Sequence, residues 1–110
     1  MAEQLRLARI VLENVEARHQ DITLDLVFDG NAVRPGMFFF GMWRDRSEET
    51  CCPFVLDPNG EVDFGTGYEG ADRYYETDII EIDLAIGAQV AWRMENYDGQ
   101  YKVVGVTQLV

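Results

Sequence analysis

The stretch from residue 22 to residue 43, ITLDLVFDGNAVRPGMFFFGMW, decides the fold class because it joins two apolar runs through turn-forming residues. From Ile22 to Phe28, apolar side chains occupy every second position, which is the period of a half-buried strand. The triplet DGN then favours a turn. Residues 37–40 are apolar on both parities, as expected for a strand that is covered on both faces.

Three consecutive phenylalanines in this run cannot all point into one core. We predict that Phe39 is the ring exposed on the surface, where it becomes a candidate contact residue. The neighbours predicted for the packed interior, or for one covered outer face, are Met37, Phe38, Phe40 and Trp43.

Turn-forming residues also separate the other apolar runs. The sequence DPNG at residues 57–60 lies between FVL and EVDF and predicts a hairpin, because Pro58 presets φ and the Asp57 side chain can cap the turn. A second hairpin is predicted around YDG at residues 97–99, since Asp-Gly tolerates positive φ. Alternating residues 80–84 predict a further strand.

The segment from residue 3 to residue 15 is ambiguous, since its apolar residues fit either a helical stripe or a bulged strand. Dense β-branched residues and the lack of a capping residue favour the strand, with a short helix as the alternative. The pattern therefore predicts an all-β protein, a small antiparallel β-barrel or sandwich of about seven short strands. At 110 residues, we expect a single domain spanning residues 1–110.

Charge narrows the classes of partner. The formal net charge is −11, and nine acidic residues with a single base, Arg73, lie between residues 57 and 83. A negative field repels phosphate backbones and anionic lipids and attracts basic protein surfaces. We therefore expect a basic protein partner, with no binding to nucleic acid or membranes.

The sequence also favours a reducing, cytoplasmic location. The N-terminal residues do not resemble a secretory signal, and no apolar run reaches the ~18 residues that a membrane helix needs. Cys51 and Cys52 are adjacent, which suits an ordinary disulfide poorly, so both are predicted to be free thiols.

The segment from residue 65 to residue 77 is the main candidate binding loop, because it is long for a connection in so small a domain. Tyrosine and arginine dominate recognition hot spots. The loop residues of these types that we predict to bind a partner are Tyr68, Arg73, Tyr74 and Tyr75. A structural strap over an open barrel end is the alternative interpretation.

Two further candidate contacts, Glu81 and Asp83, lie two residues apart on the strand predicted at 80–84 and so would share a carboxylate face.

Other motifs in the sequence do not indicate a catalytic, nucleotide-binding or metal site. GTGYEG at residues 65–70 matches a dinucleotide fingerprint but lacks the following helix, and DPNGEVD has calcium-like spacing in the wrong register. We predict no catalytic residues, no metal and no cofactor.

These observations favour a small acidic, non-enzymatic interaction module that binds a basic protein surface, of the immunity, inhibitor or adaptor type. One alternative is a small-molecule-binding barrel whose mouth is covered by the loop at residues 65–77. Another is a structural subunit of a larger assembly, for which a homodimer is the simplest form.

Overall fold

The chain folds as nine strands of one antiparallel sheet in a computed structural model that describes residues 5–30, 32–64, 75–81, 84–94 and 97–109. The strands are β1 (Leu5–Asn14), β2 (Gln20–Asp29), β3 (Ala32–Val33), β4 (Phe39–Asp45), β5 (Thr50–Leu56), β6 (Val62–Asp63), β7 (Tyr75–Thr77), β8 (Gln89–Met94) and β9 (Tyr97–Gln108). A single 3₁₀ turn, Ile79–Glu81, is the only helical element among the described residues.

The sheet curls into a nearly closed barrel. Its strand order is β6-β5-β4-β2-β1-β9-β8-β7, with β3 paired to β2 outside this path. The two end strands meet where Glu61 bridges Glu76 and the Thr77 N–H donates to the Gly60 carbonyl oxygen at 2.8 Å. The predicted all-β fold is therefore confirmed, in its barrel form.

The N-terminal segment is a strand, as favoured by its sequence. β1 pairs with β2 on one side and with β9 on the other, and its register against β9 shifts between Val11 and Leu12. Ala8, Ile10 and Leu12 are buried. Because neighbours on both sides satisfy its backbone, β-branched residues here pack on a pleated surface rather than on a helix.

The hairpin predicted at residues 57–60 is confirmed. The Asp57 carboxylate accepts the N–H groups of Asn59 at 2.8 Å and Glu61 at 2.9 Å, and Gly60 takes a φ of +86°. The side-chain cap and the positive φ are what these residue types supply in turns.

The second hairpin is also confirmed, but its turn was predicted in the wrong place. Tyr97, Asp98 and Gly99 belong to β9, and Met94 pairs with Tyr97. Pairing Val90 with Tyr101 puts both side chains in the interior, where each is fully buried. Burial of these residues sets the register, and register outweighs the turn preference of Asp-Gly.

The strand predicted at residues 80–84 is wrong for its described part, because Ile79–Glu81 forms a 3₁₀ turn. The Thr77 hydroxyl donates to the Ala91 carbonyl oxygen at 2.7 Å, and the Asp78 carboxylate accepts the Ala91 N–H at 2.9 Å. These side chains occupy the backbone groups that a longer β7 would have paired, so the strand ends there.

The run of three phenylalanines alternates across β4. Phe39 faces the interior and is 3% exposed, whereas Phe38 and Phe40 are 61% and 69% exposed. The predicted exposure of Phe39 is therefore wrong, and so is the placement of Phe38 and Phe40 under cover. Trp43 shares the inward parity of Phe39, and its indole N–H donates to the Tyr101 hydroxyl at 3.2 Å.

Gly41 also faces the interior, between Phe39 and Trp43. A Cβ at this position would lie 2.5 Å from Phe54 Cζ and 2.8 Å from the Thr23 carbonyl oxygen. The absence of a side chain is therefore what lets β4 approach β2 and β5 this closely.

Aromatic and aliphatic side chains fill the described interior of the barrel. Trp92 packs edge-on against Phe54 with ring centroids 5.5 Å apart and lies 6.0 Å from the Tyr101 ring. Leu12, Leu24 and the other fully buried aliphatic side chains complete the core. No helix in the described ranges is long and apolar enough to cross a membrane.

Candidate protein-interaction surface

The outside of β1, β2 and β4 carries three parallel rows of side chains, one from each strand in each row. The first row contains Arg9, Asp25 and Phe40; the second contains Val11, Thr23 and Met42; the third contains Glu13, Asp21 and Arg44. We call these nine residues the outer face. It lies in the middle of the strand order, opposite the point where β6 and β7 close the barrel.

Ion pairs balance the charges of the outer face. The Arg9 guanidinium binds both Asp25 oxygens, at 2.8 and 3.0 Å, and Arg44 binds both Asp21 oxygens, at 3.1 and 2.8 Å. These hydrogen bonds, and then the carboxylate charge, raise the pKa of each arginine above its usual value. Arg18 binds Glu13 at 2.9 Å, so each carboxylate of the face has a guanidinium partner.

A shallow cleft of about 370 Å³ opens on the outer face. Thr23 and Gly41 line it together with the two bidentate ion pairs and the exposed side chains of Phe40 and Met42, of which Met42 is 41% exposed. Exposed apolar side chains grouped on one face are typical of contact surfaces. Phe38, two residues before Phe40, is also exposed.

A second cleft, of about 230 Å³, lies beside the first over β4, β5 and β6. Its walls are mostly apolar and its rim carries one carboxylate. The lining residues are Phe40, Pro53, Phe54, Val55, Asp63 and Phe64. Phe40 therefore separates the two clefts, and both open on the outside of the barrel.

Acidic side chains gather where the barrel closes. The carboxylates of this region belong to Asp57, Glu61, Asp63 and Glu76, which we call the acidic seam. Glu61 and Asp63 are exposed, and Arg93 contacts Glu76 at 3.4 Å. The barrel thus carries a charge-balanced outer face and a negative seam, and the cleft beside Phe40 lies between them.

A third polar group lies where the β1–β2 and β4–β5 turns meet. The buried Asp45 carboxylate accepts hydrogen bonds from the Ser47 hydroxyl at 2.7 Å and from the Ser47 N–H at 2.9 Å. The Ser47 side-chain hydrogen bond is the main reason that the pKa of Asp45 is lowered. His19 lies in the β1–β2 turn, 3.8 Å from this carboxylate. The cluster fixes both turns.

The residues predicted to bind a partner have different positions. Tyr68, Arg73, Tyr74 and Asp83 lie outside the described residues. Tyr75 begins β7 and pairs with Met94, and Glu81 is exposed in the 3₁₀ turn rather than on a strand. Phe39, predicted to be exposed, is part of the core.

The outer face was missed because both parities of β4 are apolar at its start. One signal was available in the sequence. Arg44 carries a charge that has to face water, and Phe40 and Met42 share its parity along the strand. Reading the strand backwards from Arg44 would have placed Phe40 outside and Phe39 inside.

No family model, curated protein or solved structure matches the chain. Within the described ranges, no three His, Cys, Asp or Glu side chains are placed to hold a metal ion. Cys51 and Cys52 are free thiols, as predicted, with Cys51 exposed and Cys52 buried.

Proposed function

We propose that the protein is a non-enzymatic interaction module that binds a basic protein surface through the acidic seam. The observation that carries this proposal is the position of Asp63, which is exposed on the seam and also forms the rim of the apolar cleft beside Phe40. Charge and an apolar contact area therefore adjoin at one place.

Such a cleft fits the side chain of a lysine or an arginine. These residues lay their aliphatic stems along apolar surface and keep the charged head near water or a carboxylate. Pro53, Val55 and Phe64 offer the apolar wall, and Asp63 and Glu61 offer negative charge for the head. An immunity protein, an inhibitor or an adaptor would use a surface of this kind.

The net charge of −11 would act before contact is made. A field of this size accelerates encounter with a positively charged partner, and salt screens it over about 10 Å at ~0.1 M. The segment at residues 65–77 ends in β7, so its last three residues are a strand and not a loop. With Tyr68, Arg73 and Tyr74, this segment is proposed as a second part of the same contact. The free thiols favour a reducing compartment, for which we propose the cytoplasm.

The test is affinity capture from the native host with wild type and matched variants. The seam variant combines Glu61→Gln with Asp63→Asn, the loop variant combines Tyr74→Ala with Tyr75→Ala, and the control is Asp29→Asn. The control removes one exposed charge from the last residue of β2, a strand that is separated from β6 by β4 and β5. Circular dichroism checks that every variant folds.

We expect a basic protein that wild type and the control capture and the seam variant does not. Its association rate with purified wild type should fall steeply as ionic strength rises. A captured partner whose binding survives the seam substitutions, or whose association rate does not depend on salt, contradicts the proposal. Loss in the loop variant alone would move the site to residues 65–77.

A further inference from the structure

Among the residues that the structure describes, none covers the outer face of β1, β2 and β4, although it carries exposed apolar side chains. We propose that a second copy of this chain docks on it, forming a symmetric dimer with the two sheets packed face to face. The inference does not use the carboxylates of the acidic seam, although Phe40 borders the clefts of both surfaces.

The charge pattern of the outer face is complementary to itself. In a symmetric face-to-face pair, the two-fold axis lies between the sheets, and β2 is the middle strand of the three. Rotation about an axis along β2 places β1 of one copy over β4 of the other. Glu13 then meets Arg44, Val11 meets Met42, and Arg9 meets the ring of Phe40, which is a cation–π contact.

The other two-fold axis in the plane of the interface runs across the strands, and rotation about it also brings complementary side chains of the two copies together. It exchanges the first row with the third, so Arg9 meets Glu13, Phe40 meets Arg44, and Met42 meets its own copy. Under either rotation, Glu13 faces a guanidinium and Met42 faces an apolar side chain.

The remaining acidic residues of the face do not oppose the contact. Rotation about the axis along β2 places Asp21 and Asp25 each opposite the same residue of the other copy. Rotation about the axis across the strands places Asp21 opposite Asp25. Within each copy, an arginine from a neighbouring strand binds each carboxylate through two hydrogen bonds, Arg44 to Asp21 and Arg9 to Asp25. These arginines compensate the carboxylate charges before docking. Sheets that pack face to face lie about 10 Å apart, which leaves room for these side chains.

The test is sedimentation equilibrium of the full chain over a wide range of concentrations. The disrupting variants are Glu13→Arg, which sets like charges against each other under both rotations, and Met42→Lys, which places a charge in the apolar row. The control is Ile86→Ser, because Ile86 is 65% exposed but lies outside the face. Variants of Phe40 are avoided because its ring borders both clefts.

We expect a reversible monomer–dimer equilibrium for wild type and the control, with the dissociation constant raised at least about tenfold, or about 1.4 kcal/mol, by either disrupting variant. The seam variant should dimerise like wild type. A wild type that is monomeric throughout, an open-ended assembly, or a dimer weakened by Ile86→Ser but not by Glu13→Arg would overturn the proposal. If circular dichroism shows that one disrupting variant does not fold, the effect of the other disrupting variant on the dissociation constant provides the test.

Discussion

Replacing Gly41 with alanine tests how closely β4 packs against the barrel core. The added Cβ would lie 2.5 Å from Phe54 Cζ, 2.7 Å from Leu24 Cδ2 and 2.8 Å from the Thr23 carbonyl oxygen. Phe54 is held by edge-on contacts with two other aromatic rings, and the Thr23 oxygen is backbone. Neither neighbour can move aside without disturbing the sheet.

The size of the effect follows from two opposing terms. Inserting a methyl group into a packed core costs roughly 1–3 kcal/mol, whereas removing the conformational freedom of a strand glycine returns about 0.5–1 kcal/mol. Because one of the clashing atoms is backbone, the insertion cost lies towards the upper end of its range, and we expect Gly41→Ala to lower the free energy of unfolding by about 1–2 kcal/mol. For a domain of this size, the melting temperature should fall by roughly 4–16 °C.

Gly105→Ala is the matched control, because Gly105 also lies in a strand. Its added Cβ would lie 3.5 Å from Val11 Cβ, an ordinary contact, so we expect unchanged or slightly higher stability. Urea denaturation followed by tryptophan fluorescence measures both variants. If Gly41→Ala proved as stable as Gly105→Ala, Gly41 would not face the core, and the register of β4 would be wrong.

Three further predictions concern the turns and the interior. Folding lowers the pKa of Asp45, so the stabilisation that its carboxylate provides is present above its unfolded pKa and is lost as pH falls through its folded pKa. Asp45→Asn should therefore make the unfolding free energy, measured by urea melts, depend less on pH in the acid range. Asp57→Ala should lower the unfolding free energy by about 1 kcal/mol through the loss of its turn hydrogen bonds, and an unchanged melting temperature would contradict this. Trp43→Phe should lower the unfolding free energy by about 1–2 kcal/mol, because it removes the indole N–H that donates to the Tyr101 hydroxyl and part of a packed ring. A variant as stable as wild type would argue against that contact.

Much of the fold could be predicted because its strands are amphipathic. The two-residue period marked the buried side of β2, where Ile22, Leu24, Leu26 and Phe28 are all buried. Turn chemistry marked the hairpin at Asp57 because one side chain and one glycine supply its local requirements.

The errors arose where tertiary contacts override local preference. At the start of β4 both parities are apolar, so the local pattern did not distinguish Phe39 from Phe40. The end of β7 depends on Thr77 and Asp78 capturing the backbone of Ala91, fourteen and thirteen residues further along the chain. No local pattern signals that contact.

The outer face could not be predicted as a unit because its members come from three strands between residues 9 and 44. Arg9 meets Asp25, and Asp21 meets Arg44, only once the strand register is known. The excess of acidic residues between 57 and 83 is evident from the sequence. The position at which Asp63 adjoins an apolar cleft could not be predicted from it.

The register of β4 underlies both proposed surfaces, since a shift by one residue would exchange its inner and outer side chains. Solvent paramagnetic relaxation enhancement, measured by NMR on the ring protons of Phe38, Phe39 and Phe40, tests it most directly. The Glu13→Arg protein is the sample of choice, so that a second copy does not cover the face. We predict strong enhancement for Phe38 and Phe40 and weak enhancement for Phe39. The reverse pattern would turn Phe40 and Met42 into the core and remove the basis for the outer face.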